Sequence, residues 1–122
     1  MLPPFFWPAG AGDEPAGEPP PGLEVLGHDG TTYIVVGADG RVMSINPTSP
    51  LATRFVNSSS HQLFAGLDAL AECRAELDRA DGDALRAVGA LRHDLNRINI
   101  LALGSRSNWW AVLLDRLEES LP

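Results

Sequence analysis

Three histidines, one cysteine and a run of serines are the residues of this 122-residue chain that could do metal or covalent chemistry. Their spacing argues against both. His28, His61 and His93 fall in a predicted turn, at a helix start and in the middle of another helix. No two share the i, i+4 spacing that places paired imidazoles on one zinc ion. With Cys73 alone, neither an intramolecular disulfide nor a thiolate metal cluster can form. Cys73 reads as a small core residue inside a helix. Ser58, Ser59 and Ser60 lie in no Gly-x-Ser-x-Gly elbow and read as helix caps. Every basic residue is Arg, so the lysine of a phosphate-binding P-loop is missing, and Gly10-Ala11-Gly12 lacks the rest of a dinucleotide fingerprint. Asp78, Asp81 and Asp83 imitate the start of a calcium loop, but Gly82 and the lack of a Glu at the twelfth position break it. The expectation is a non-enzymatic chain with no cofactor and no metal.

What remains is recognition. Sixteen acidic residues against nine basic ones give a charge of -7. Such a field repels phosphates and anionic lipid and attracts a basic partner. Asp68, Glu72 and Glu76 recur every four residues, and Asp78, Asp81 and Asp83 extend the cluster. Like charges at this spacing cost an isolated helix a few tenths of a kcal/mol each, roughly. Arg74 and Arg79 offset this only in part. One reading is a solvated helix face; the other is an acidic docking ridge that speeds encounter with a basic protein. Trp110 falls on a core stripe. Trp109 lies about 100° round the helix, which predicts half exposure and makes it an interface candidate. The candidate partner-binding set is Asp68, Glu72, Glu76, Asp78 and Trp109. Phe5-Phe6-Trp7 either packs on the chain's own surface or meets a partner or a second copy.

These residues are expected to be positioned by one domain, which a chain of 122 residues fits. Residues 1–22, rich in Pro, Gly, Ala and Glu, read as a flexible, partly extended segment, and 23–122 as the domain. Strands are expected at 23–26, 31–36 and 41–45, with Asp29-Gly30 and Asp39-Gly40 as turns. Asn46-Pro47 ends the third strand, 48–50 continues as loop, and Arg54-Phe55-Val56 is a last short strand. Ser59 with Gln62 forms a capping box. It opens a first helix with Leu63, Phe64, Leu67, Leu70, Ala71 and Leu77 on one face. A second helix starts near Asp81 or Asp83, with the stripe Leu85, Val88, Leu91, Leu95 and Ile98. A third spans about 107–120, with Trp110, Leu113, Leu114, Leu117 and Leu121 along one side. Strands first and helices after give an α+β fold: an antiparallel meander of three to four strands followed by three α-helices. No apolar run reaches the roughly 20 residues of a membrane span, and the first residues lack a basic n-region. The expected setting is cytoplasmic, with no membrane and no nucleic acid as partner.

Phe55-Val56-Asn57-Ser58-Ser59 leading into an amphipathic helix resembles the hydrophobic-Val-Asn-Ser-Ser segment of SUKH-superfamily immunity proteins, fourth subfamily. The closing Trp110-Ala111-Val112-Leu113-Leu114-Asp115-Arg116-Leu117-Glu118 is similar to that subfamily's Trp-containing last helix. The resemblance covers about residues 23–121 and supplies no catalytic residues. It implies a SUKH-like α+β fold in a bacterial polymorphic-toxin system. It also implies binding and neutralisation of a toxin domain, of nuclease or deaminase class, by blocking its active site. Relatives are usually longer before the first strand, where only residues 2–9 stand here, so the chain looks shortened at its N-terminus. Core surface left bare there would be covered by a second subunit, giving a homo-oligomer. The alternative reading is a small non-catalytic accessory subunit that binds a partner enzyme.

Overall fold

The computed structural model describes residues 5–79 and 81–121, with backbone only for Pro50 and Leu51. Of the segment 2–9, residues 2–4 lie outside the described set.

Five strands form one antiparallel meander in sequence order: β1 (Trp7–Pro8), β2 (Glu24–His28), β3 (Tyr33–Val36), β4 (Val42–Asn46) and β5 (Ser49–Asn57). Both Asp-Gly pairs sit in turns as expected. Gly30 and Gly40 have φ of 88° and 87°, a region glycine enters without the Cβ clash. Asp29 Oδ1 accepts from the backbone N–H groups of Thr31 and Thr32, and Asp39 Oδ1 from that of Arg41. The third connection is tighter than expected. Asn46 Oδ1 accepts from the N–H and hydroxyl of Thr48, an Asx turn. Asn46 then pairs with Ser49, so β5 begins five residues earlier than Arg54. Pro50 is tolerated because β5 is an edge strand.

The two faces of the sheet have different cover. Ile34, Val42 and Val56 join one apolar cluster with the helices. Tyr33 and Val35, buried but outside that cluster, alternate onto the other face. There the Tyr33 hydroxyl donates to the Gly17 carbonyl at 3.1 Å, and Pro15 is buried. The stretch expected to be a flexible linker is thus held against the sheet. Its first residues also supply β1, paired with β2 as Trp7↔His28 and Pro8↔Gly27. Gly27 has no room for a side chain: an added Cβ would lie 2.2 Å from the Trp7 carbonyl oxygen.

Helix α1 (Ser60–Leu77) is capped by the Ser59 hydroxyl, which accepts from the N–H of Gln62. The return half of the capping box is not made. The Gln62 side-chain amide instead donates to the carbonyl of Ile98 at 3.4 Å. Helix α2 (Ala84–Ile98) is capped by Asp83, which accepts from the N–H of Arg86. A 3-10 turn (Ile100–Leu103) leads to α3 (Trp109–Glu119). Leu63, Leu70, Val88, Leu91, Leu95, Leu113, Leu114 and Leu117 are buried as the stripes predict. Phe64 and Leu85 are not, at 48% and 79% exposed, and Ala69, Cys73 and Ala87 take the inward positions.

The polar segment at the end of β5 ties the two halves together. Asn57 Oδ1 accepts from the Trp110 indole N–H at 2.8 Å, and the Asn57 amide donates to Asn99 Oδ1. Asn99 Oδ1 also accepts from the Ser58 N–H, and its amide donates to the Ser58 hydroxyl. The run Asn57-Ser58-Ser59 is therefore architectural. It satisfies a buried indole, a buried amide and a helix N-terminus with three consecutive side chains.

Candidate functional site

The α1–α2 hairpin gathers the acidic residues. An added Cβ at Gly82 would lie 2.1 Å from the Glu76 carbonyl oxygen, so the connection closes against the end of α1. Glu76 Oε2 pairs with Arg79 at 3.1 Å, and its Oε1 accepts from the N–H of Asp83 at 3.4 Å. Arg79 also reaches Asp81 at 3.4 Å. Asp81 and Asp83 lie at the N-terminus of α2, where the helix dipole favours negative charge. Glu76 and Asp78 lie at the C-terminus of α1, where it does not.

The hairpin encloses an open cleft of about 410 Å³. Its rim carries Glu72, Glu76, Asp81, Asp83 and Asp94 against Arg86, over a floor that includes Ala69, Cys73, Ala87 and Leu91. Arg97 sits 3.6 Å from Asp94 and takes up part of its charge. Small side chains at the floor let the helices approach, and the longer carboxylates stand at the edge. Burial pushes the Cys73 thiol up from its ordinary range, against the opposite pull of Arg74. It sits there as an un-ionised, weakly nucleophilic group.

The sequence-derived set is divided by the fold. Glu72 and Glu76 line the cleft. Asp68 is exposed on α1 away from its rim, and Asp78 is the exposed C-cap of the same helix. Trp109 lies away from this cleft and is buried rather than half exposed, at 5%. Its indole N–H donates to Asp29 Oδ2 at 2.9 Å, and its ring meets Trp110 edge-on at 4.9 Å. An indole with its one donor satisfied and its ring packed is held by the core, and only its edge reaches the wall of a neighbouring cleft. Asp94 and Arg86 were missed. The spacing of Asp83, Ala87, Ala90 and Asp94 (four, three, four) puts them on one face of α2 and would have found Asp94.

The arrangement concentrates negative charge at the rim of the cleft. Among the described residues, no three His, Cys, Asp or Glu side chains come together as metal ligands would. His28 is buried, its Nδ1 accepting from the Gly30 N–H, its Nε2 facing the Ala11 carbonyl and its ring stacked on Trp7. His61 and His93 are exposed on separate helices. No helix of the described residues is long and apolar enough to cross a membrane.

A family model described as SUKH-4 immunity protein matches residues 4–116. The match takes in most of the N-terminal segment, the sheet, the first two helices and α3 as far as Arg116. No curated protein and no solved structure matches the chain.

Proposed function

The chain belongs to the SUKH-4 immunity protein family, and on that premise we propose that it binds a toxin domain and neutralises it by covering the active site. The toxin is of nuclease or deaminase class, basic around its substrate groove, and met in the cytoplasm. The observation that carries this reading is the α1–α2 cleft, whose lining sets five carboxylates beside Arg86 above an apolar floor, with Arg79 and Arg97 offsetting part of that charge from the edge. A domain built to hold nucleic acid presents the opposite field, so the cleft competes for the same basic groups that would grip the substrate. Steric cover needs no reacting group in the inhibitor. The surrounding helices are fixed by caps at Ser59 and Asp83, so little ordering is required on binding.

The test is coexpression with a candidate nuclease or deaminase toxin domain from the same genome, followed by titration of the purified pair. Cell survival and stoichiometric loss of toxin activity are expected, with both weakened by Glu72→Gln and Glu76→Gln together. Binding to a neighbouring enzyme without protection of cells would instead assign the chain to the accessory-subunit class and overturn the proposal.

A further inference from the structure

A second cleft, of about 340 Å³, opens between the N-terminal segment, the β2–β3 turn, β5 and α3. Its character is opposite to that of the acidic hairpin. Half-buried Phe5 and Trp7 contribute aromatic surface, the buried Trp109 stands in the wall behind them, and Arg54 and Arg116 contribute the cations. Arg41, Arg79, Arg92 and Arg97 are each paired with a carboxylate. Among the described residues, neither the Arg54 nor the Arg116 guanidinium has such a partner.

Among the described residues the one carboxylate in this cleft, Asp29, is already committed. Oδ1 accepts from the N–H groups of Thr31 and Thr32, and Oδ2 from the Thr32 hydroxyl and the Trp109 indole. Four donors hold it in the wall of the cleft and leave it no lone pair turned toward the arginines. Two planar guanidiniums in a cleft that also carries aromatic and aliphatic lining fit a carboxylate carried on an apolar body. The volume suits one or two side chains, at the lower end of ordinary ligand clefts of roughly 300–1,000 Å³. A polyanion is disfavoured by the net charge of -7.

We infer that this cleft is a second recognition site, which takes an acidic side chain flanked by an aromatic one from the protein partner. The inference rests on the reading that the partner is a protein, and it deepens that reading. With a basic surface at the hairpin and an acidic anchor at the aromatic cleft, the partner has one orientation in which both charges are matched. Swapping them sets like charges together at both places, which excludes wrong partners and wrong poses.

The full-length chain, labelled with nitrogen-15, is titrated with acetyl-Phe-Glu-amide, with acetyl-Phe-Gln-amide and with inorganic phosphate. The Trp7 indole and the arginine Nε–H signals are followed. The acidic peptide is expected to give saturable shifts, at least about tenfold tighter than the neutral one, as loss of a charge-assisted contact requires. Arg54→Gln with Arg116→Gln should abolish that preference, and Glu72→Gln with Glu76→Gln should leave it intact. The second pair separates failure at this cleft from failure of the acidic hairpin. Equal affinity for the two peptides, no shift with either, or phosphate binding as tightly as the acidic peptide each overturns the inference. So do concentration-dependent shifts without peptide that vanish in the arginine variant, which would make a second copy of this chain the occupant.

Discussion

The indole nitrogen of Trp110 donates to Asn57 Oδ1 at 2.8 Å, joining the last strand to the last helix across 53 residues of chain. Trp110 is fully buried and Asn57 nearly so. Water cannot replace either partner, and Asn57 must at the same time satisfy Asn99. This pair sets the position of α3 on the sheet, and with it the wall of the aromatic cleft.

Asn57→Ala should therefore cost more than one ordinary hydrogen bond. It leaves the Trp110 donor and one Asn99 acceptor site short of a partner in a dry interior, at about 1–3 kcal/mol for each orphaned group. A loss of about 3 kcal/mol in unfolding free energy is expected, read as a lower urea midpoint with unchanged slope. A loss below about 0.5 kcal/mol would mean that water reaches the site.

Two helical glycines should respond to alanine with opposite signs. At Gly66 an added Cβ would lie 2.7 Å from the Trp110 ring and 3.2 Å from Leu95, both inside the core. Overpacking of that kind costs about 1–3 kcal/mol. At Gly89, in the interior of α2 and exposed, nothing lies within 4 Å. Gly89→Ala should stabilise by about 0.5–1 kcal/mol through backbone entropy alone. Thermal melts of the two variants against the parent check both signs.

Features that depend on a few neighbouring residues were legible in the sequence. The two Asp-Gly turns, the Ser59 and Asp83 caps and the core face of α3 each follow from local geometry. What failed depends on partners far along the chain. Trp109 reads as half exposed from helical phase, because nothing near it reveals that Asp29 will meet it 80 residues away. Phe64 and Leu85 sit at the edges of apolar arcs, and periodicity gives an arc's direction but not its width. Strand β1 is two residues long, too short to alternate. Of the candidate site, the acidic spacing on α1 was visible. Its completion by Asp94 required knowing that α2 folds back beside it.

Tyr33 is the only tyrosine, so tyrosinate absorbance reports on it alone. Burial first, then the charges of Glu14 and Glu18, raises its pKa above the ordinary value. Its O–H donates to the segment that covers the sheet. A folded pKa above the unfolded one means a contribution that is full below about pH 10 and lost as pH rises through the folded value. Alkaline titration should give a midpoint above that of free tyrosine, and Glu14→Gln with Glu18→Gln should lower it. A midpoint at or below the free value would mean that the Pro/Gly segment does not cover this ring in solution.

The charge of the hairpin cleft should act on the rate of encounter more than on the lifetime of the complex. Glu72 and Glu76 line the cleft, while Asp68 and Asp78 stand outside it. If the cleft steers a basic partner, Glu72→Gln with Glu76→Gln should slow association about tenfold at low ionic strength and flatten its salt dependence. The effect should shrink as the screening length falls to about 8 Å at physiological salt. Asp68→Asn with Asp78→Asn removes the same formal charge from outside the rim and should do less. The Glu76–Arg79 pair is surface-exposed, so its loss costs stability at most about 1 kcal/mol, and slower association cannot be blamed on unfolding. Stopped-flow rates across a salt series distinguish the cases. Equal slowing by the two double variants would point to net charge alone. Unchanged rates in both would remove the cleft from recognition while leaving the fold, and the family to which it belongs, untouched.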